Sequence, residues 1–72
     1  MLQKTTIHSY DVSFEENARQ GLEYLRDDLD AAESKIFFEQ AKRAGSAAFE
    51  DDQDRQFTLV YQKENDYVIV RR

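Results

Sequence analysis

The fold of this chain is decided by residues 14–36, which read FEENARQGLEYLRDDLDAAESKI. Apolar side chains recur there in steps of three and four, at Phe14, Ala18, Leu22, Leu25, Leu29, Ala32 and Ile36. At about 100° per residue, these positions fall within an arc of roughly 80° on one helix face. The stretch therefore predicts an amphipathic helix whose apolar stripe needs a partner surface.

Both ends of this helix carry signals in the sequence. Ser13 and Glu16 have the spacing of a capping box, in which a hydroxyl and a carboxylate satisfy free backbone amides. Gly45 is a typical terminator, and Lys42 and Arg43 place positive charge in the preceding turn, where the helix dipole favours it. A single uninterrupted helix between these signals is the first interpretation.

A helical hairpin broken within residues 27–30 is the competing interpretation, with Asp30 and Glu33 as a second capping pair. The acidic residues of that segment argue for continuity, because the dipole disfavours negative charge in the last turn of a helix. After Ile36, however, the apolar residues rotate to another face, which favours a break or a second contact surface. These residues are Phe37, Phe38, Ala41 and Ala44. Both interpretations stay open, and we favour the uninterrupted helix.

The length of an uninterrupted helix has a consequence for association. About 31 residues make a helix of roughly 46 Å, whereas a compact chain of this size is about 29 Å across. The overhanging part of the apolar stripe would then need a second molecule. We therefore predict a homodimer. Its interface comprises Leu22, Leu25, Leu29, Ala32 and Ile36.

Two aromatic side chains, Tyr24 and Phe38, lie off the main stripe. They form either a second interface, with another protein, or contacts with the sheet or a folded-back helix. An exposed Phe38 would favour the first alternative, since exposed aromatic residues often anchor interfaces.

Strand patterns flank the helix on both sides. Residues 3–10 are rich in β-branched and aromatic side chains and predict one N-terminal strand. FTLVYQ (57–62) and YVIVRR (67–72) flank KEND (63–66) and predict a β-hairpin. With an even loop, one face of this hairpin is apolar and should face the helix. That face carries Phe57, Leu59, Tyr61, Val68 and Val70.

Residues 46–56 predict a polar connector between the helix and this hairpin. A lone hairpin is marginally stable in water, so we expect the N-terminal strand to join it. The expected fold is α+β, with a small antiparallel sheet under one long or broken amphipathic helix. Residues 1–72 form a single small domain, since no linker or repeat divides them.

Composition narrows the classes of function. The chain has no Cys, which excludes disulfides and thiolate metal sites, and its net charge of −5 disfavours contact with phosphate backbones. Two Gly and no Pro leave few of the loops on which active sites and phosphate cradles are built. We see no signal peptide and no membrane-spanning run, and expect a cytoplasmic protein.

Residues that could carry chemistry are few and isolated. His8 is the only histidine, and nothing in the spacing places a nucleophile beside it, so we interpret it as a partly exposed strand residue. The acidic run 50–54 lacks the Gly and Glu positions of an EF-hand and predicts a solvated loop. We predict no catalytic residue, no metal site and no cofactor.

These features together favour a small, non-catalytic, dimeric module for protein interaction or regulation. Its partner is a second copy of itself and, beyond that, another protein. The alternative is a nucleic-acid-associated regulator, such as a small repressor or an antitoxin-like protein. Its basic patch would comprise Lys42, Arg43, Arg55, Arg71 and Arg72. The acidic net charge disfavours this alternative.

Overall fold

Five strands form one mixed sheet in the computed structural model, which describes residues 2–72. They are β1 (Gln3–Ile7), β2 (Tyr10–Phe14), β3 (Ser46–Glu50), β4 (Gln56–Lys63) and β5 (Asp66–Arg71). Their order in the sheet is β1-β2-β5-β4-β3, with β2 and β5 parallel and the other neighbouring pairs antiparallel. The α+β class is confirmed, but the sheet has more strands than the sequence predicted and is not purely antiparallel.

The helical layer lies between β2 and β3 in the chain and covers one face of the sheet. A 3-10 turn at Glu16–Ala18 leads into α1 (Arg19–Glu23), and a π-helical turn at Tyr24–Asp28 follows it. The second helix, α2 (Ala31–Ala44), ends at Gly45 with a φ of 95°. The prediction of an uninterrupted helix is wrong, and the competing broken helix is what the structure shows.

Hydrogen bonds on both sides of Asp30 explain the break. The Leu29 amide donates to the Tyr24 carbonyl at 3.1 Å, and the Leu29 backbone is extended. The Glu33 amide donates to the Asp30 carboxylate at 2.8 Å, while the Asp30 amide donates to the Glu33 carboxylate at 3.1 Å. Such a cap contributes about 1 kcal/mol. This matches or exceeds the roughly 0.3–1 kcal/mol by which exposed acidic residues disfavour the end of the preceding helix.

The break also removes the overhang from which a dimer was inferred. The 14 residues of α2 make a helix of about 21 Å, and the whole chain measures 27 × 27 × 20 Å. The helix therefore fits within its own domain, and its length alone requires no second molecule.

The N-terminal segment also differs from the prediction. Residues 3–10 are not one strand, because His8 and Ser9 form a tight turn between β1 and β2. Both have positive φ, 47° and 78°, and neither is the Gly or Asn that usually announces such a turn. Ser13 lies inside β2, and the N-cap of the 3-10 turn is Glu15, whose side chain makes no capping hydrogen bond to the turn. The predicted Ser13–Glu16 capping box is therefore wrong.

The register of the C-terminal hairpin is shifted by one residue. Tyr61 pairs with Tyr67 and Lys63 with Asp66, so that Gln62 forms a bulge. A bulge adds one residue to one strand only. Side chains beyond the bulge therefore point to the opposite face of the sheet from the one that unshifted pairing would give them. Tyr67 and Ile69, rather than Val68 and Val70, therefore face the helices together with Phe57 and Leu59.

The predicted connector 46–56 is a strand followed by a loop. Residues 46–50 form β3, which pairs with β4 over its whole length and exposes alternate side chains. Ala47 and Phe49 face the core, and the intervening small or charged side chains do not. The alternation was too short and too poor in β-branched residues to stand out in the sequence.

Aromatic rings form the centre of the core, where the two layers meet. Phe38 of α2 stacks on Tyr10 with the ring centroids 4.1 Å apart and meets the edge of Tyr67 at 4.9 Å. Phe49 and Phe57 stack at 5.4 Å beneath the same helices. Burial raises the pKa of Tyr67 to about 12, so its hydroxyl stays neutral even near pH 10, where an exposed tyrosine ionises.

Gly21 allows α1 to approach β4 closely. A Cβ atom at this position would lie 2.8 Å from two ring carbons of Phe57, whose side chain is fully buried. The ring cannot move aside freely because it is stacked on Phe49. The glycine thus has a packing role that its modest cost in helix propensity did not reveal.

We expect Gly21→Ala to lower the free energy of unfolding by about 1–2 kcal/mol, because overpacking outweighs the roughly 1 kcal/mol gain in helix propensity. Urea unfolding followed by circular dichroism measures this difference. Glu23→Ala, an exposed change in the same helix, serves as the control and should be nearly neutral. A stabilised Gly21→Ala variant would show that the two layers can move apart at little cost.

A second prediction concerns the strained turn between β1 and β2. Ser9→Gly should raise the free energy of unfolding by about 0.5–1 kcal/mol, because glycine adopts a φ of 78° without steric cost. Ser13→Gly is the matched control: the same substitution within a strand should destabilise by a similar amount. Thermal unfolding of both variants checks the signs, and equal shifts would contradict the assignment of strain to Ser9.

Candidate interaction surface

The predicted apolar stripe is divided between the core and the surface. Leu22 and Leu25 are 2% and 0% exposed and pack inside the chain itself. Leu29 is half-buried, whereas Ala32 is exposed and Ile36 is 65% exposed. The break before Asp30 causes this division, because α2 begins with a new orientation, so residues with the same sequence period no longer share one face with Leu22 and Leu25.

The outward face of α2 is therefore the part of the predicted interface that remains accessible. Ala32 and Ile36 lie about 160–200° around the helix from the buried Ser34. They line a shallow groove together with Lys35, Glu39, Gln40 and Arg43. On this surface Ile36 is the one large exposed apolar side chain, and the residues around it include both positively and negatively charged ones.

The two predicted off-stripe aromatics have different positions. Phe38 is completely buried in the core, so the alternative of contact with the sheet is observed and Phe38 cannot form a second interface. Tyr24 is half-buried and stacks on Phe49 of β3, with the centroids 6.3 Å apart. Phe37, also half-buried, meets Phe49 at 5.8 Å. Tyr24 and Phe37 thus form an aromatic ledge above β3.

The sheet face opposite the helices holds a cluster of β-branched side chains. Val60 pairs with Val68 and Thr58 with Val70 across β4 and β5, and Val70 is 46% exposed. The shifted register brings these side chains together, so the sequence did not place them on one surface. They form a second apolar area at some distance from α2.

The five basic residues of the alternative function do not converge. Lys42 approaches Glu64, beyond the end of β4, whereas Arg55 precedes the start of β4 and binds Asp51. Arg71 lies over the Phe57 ring at 5.4 Å, also near that start. The two ends of this strand are roughly 23 Å apart, counting about 3.3 Å per residue. No continuous basic patch therefore joins the five residues, Arg43 and Arg72 included.

The β3–β4 loop is organised around one buried carboxylate. Asp51 is 6% exposed and accepts hydrogen bonds from the backbone amides of Gln53 and Arg55 at 3.0 and 2.9 Å. The Arg55 guanidinium binds its other oxygen at 2.6 Å. The prediction of a solvated acidic loop is therefore wrong for Asp51, which has a structural role.

Opposing effects set the pKa of the Asp51 carboxyl. Burial raises the pKa, while the Arg55 guanidinium and the amides of Arg55 and Gln53 lower it by more. The net pKa lies below the ordinary value, because the charged form accepts every one of these hydrogen bonds.

His8 occupies the first position of the β1–β2 turn. Its Nε2 atom is buried and has no hydrogen-bond partner among residues 2–72. The described residues therefore place no nucleophile or acid in hydrogen-bond contact with this nitrogen.

Polar side chains of the helical layer also have local partners. The Ser34 hydroxyl donates to the Leu25 carbonyl inside the core, and Arg26 binds the neighbouring Asp27 at 2.9 Å. Within residues 2–72, no three His, Cys, Asp or Glu side chains are grouped so that they could hold a metal ion. In the same residues, no helix is long and apolar enough to span a bilayer.

Comparisons with known proteins add no function to this geometry. No known protein family, curated protein or solved structure matches this chain. The accessible part of α2, with the aromatic ledge beside it, is the candidate site that the molecule itself presents.

The buried carboxylate leads to a prediction about pH. Asp51→Asn should lower the free energy of unfolding by about 1–3 kcal/mol at neutral pH, because the charge-assisted bond to Arg55 is lost. A depressed pKa stabilises the folded chain above the unfolded value of about 3.9, and that stability disappears as the pH falls towards the folded pKa. The difference between wild type and variant should therefore shrink in acid.

Urea unfolding at a series of pH values down to about 3 measures this linkage. Asp52→Asn, an exposed change in the same loop, is the control. A difference between wild type and Asp51→Asn that stays constant over this range would contradict the assigned role.

Proposed function

We propose that this protein is a small, non-catalytic interaction module that functions as a homodimer through the outward face of α2. The observation that carries the proposal is the exposure of Ile36, at 65%, on a helix whose inward face is already complete. Phe38 and Ala41 fill the inward side of α2, so Ile36 contributes nothing to the core. Ile36 adjoins Ala32 in one groove, and exposed apolar side chains that adjoin one another and are rimmed by charged residues are the kind of surface found at interfaces.

The charges along α2 also support pairing between identical helices. Asp30 and Glu33 lie at its start, and Lys42 and Arg43 in its last turn. Two such helices side by side and antiparallel place the acidic start of one against the basic end of the other. This arrangement is isologous, as expected for a dimer with two-fold symmetry.

The structural use of the conspicuous polar groups is consistent with a non-catalytic role. Asp51 organises a loop, Ser34 bonds the Leu25 carbonyl, and Asp30 caps a helix. The alternative of a nucleic-acid-associated regulator receives no support from the dispersed basic residues.

Sedimentation velocity over a range of concentrations tests the proposal. Wild type should sediment as a dimer at high concentration, and Ile36→Glu should weaken association at least tenfold, since burying an aliphatic side chain contributes about 1.5–3 kcal/mol. The far-ultraviolet circular dichroism spectrum of this variant should match that of wild type, because Ile36 lies outside the core.

Val70→Glu is the matched control, with the same new charge at an exposed apolar residue of the opposite sheet face. It should leave the dimer intact. Wild type that remains monomeric at every concentration would refute the proposal, and dissociation by Val70→Glu alone would move the interface to the open sheet face.

A further inference from the structure

Strand β3 is an edge of the sheet and lacks the usual protection of an edge. It pairs with β4 on one side only, so alternate backbone amides and carbonyls point away from the sheet. Its sequence, SAAFE, contains no Lys, Arg or Pro, and its pairing has no bulge. The opposite edge, β1, carries Lys4 as its second residue, the kind of residue that blocks pairing with another chain.

The surface beside this edge is apolar on the helix side. Tyr24 and Phe37 both pack against Phe49 of β3, and both keep part of their rings accessible. Since Phe37 overhangs β3, the flank of α2 that carries it faces outward over the edge. By helical spacing, Gln40 lies on that flank beyond Phe37, and Ile36 lies between the flank and the outermost side of α2.

Charge around β3 is self-complementary. Lys42, which approaches Glu64, and Arg43 precede the strand. Glu50, Asp52 and Asp54 end it or follow it, where Arg55 is already paired with Asp51 and Arg71 lies over the Phe57 ring. Two antiparallel copies of this segment bring the basic beginning of one to the acidic end of the other. A parallel arrangement would instead place like charges together.

From these observations we propose that two copies of the chain pair antiparallel through β3, centred on Ala48. The two sheets then form one continuous sheet across the dimer. This pairing rests on the proposed homodimer and specifies its geometry. Ala48 faces Ala48 of the second copy, and Ser46 faces Glu50. Small side chains at the centre allow the two strands to approach without a clash.

Strand pairing also brings the two α2 helices to contact distance. Helix α2 packs on both β3 and β4, so its axis lies about one strand spacing from the two-fold axis, roughly 4.8 Å. The two helices are then about 10 Å apart, the distance at which helices pack. Phe37 and Tyr24 lie over β3 on the side where the helices meet, and Ile36 lies at the outer margin of that contact.

Pairing through β3 makes the interface larger than the exposed face of α2 alone. Ala32 and Ile36 cover too little area for the roughly 1,200 Å² that specific interfaces bury. Backbone pairing along β3 and burial of the aromatic ledge add to the helix contact. Together they account for the exposed Ile36, the half-buried aromatics and the unprotected edge.

The absence of native cysteine makes a direct test possible. Two residues facing each other in antiparallel strands have Cα atoms about 4.5–5.5 Å apart, which is within disulfide range. Under mild oxidation, Ala48→Cys should form a covalent dimer in the larger part of the sample. Thr6→Cys, on the other edge strand, is the matched control and should remain largely monomeric on a non-reducing gel.

A second pair of variants tests the same contact without a disulfide. Ala48→Lys places two like charges on the two-fold axis and should abolish the dimer in sedimentation velocity, while circular dichroism remains unchanged. Thr6→Lys should sediment like wild type.

The outcomes separate this inference from the homodimer itself. If wild type is dimeric, but Ala48→Cys does not cross-link and Ala48→Lys stays dimeric, pairing through β3 is refuted and the homodimer stands. If wild type is monomeric at every concentration, both are refuted. Cross-linking of Thr6→Cys as readily as Ala48→Cys would show random collision and would also overturn pairing through β3.

Discussion

The break between the two helices is the constraint on which the rest of the structure depends. Asp30 and Glu33 cap α2, and the Ser34 hydroxyl satisfies the Leu25 carbonyl at the end of the preceding helical segment. This buried bond ties the two helical segments together, where an unpaired carbonyl would cost about 1–3 kcal/mol. Because the segments are held at this point, α2 folds back over β3 and β4 instead of continuing into solvent.

That change of direction decides which apolar residues are inside. Leu22 and Leu25 stay in the core, Phe38 and Ala41 join them from α2, and Ile36 is left outside. A core completed within one chain explains why helix length gives no reason for association. The proposed association rests instead on what remains exposed: Ile36, the aromatic ledge of Tyr24 and Phe37, and the unprotected edge of β3.

Close packing between the layers leaves few alternatives to this arrangement. Gly21 brings α1 against the ring of Phe57, and Phe38 is held between Tyr10 and Tyr67. The bulge at Gln62 places Tyr67 rather than Val68 in that core. This one extra residue in β4 thus determines which side chains form the aromatic centre of the core and which form the β-branched cluster on the opposite face.

What the sequence by itself determined is local. The capping pair Asp30–Glu33, the stop at Gly45 and the strand character of residues 57–62 and 67–72 all depend on side chains within a few positions of one another. The α+β class follows from them. Ile36 was also predicted as an interface residue; the structure shows it exposed on α2, but without the overhanging helix from which that prediction was made.

Tertiary structure decided the rest, because it depends on partners distant in the chain. The turn at His8–Ser9 has no Gly or Asn and exists because β1 and β2 pair. Asp51 is buried because Arg55 and two amides surround it, and β3 forms because β4 offers it a ladder. Helical spacing could not separate Leu25 from Ile36, since the period continues through the break, and only packing against the sheet determines which of them faces the core.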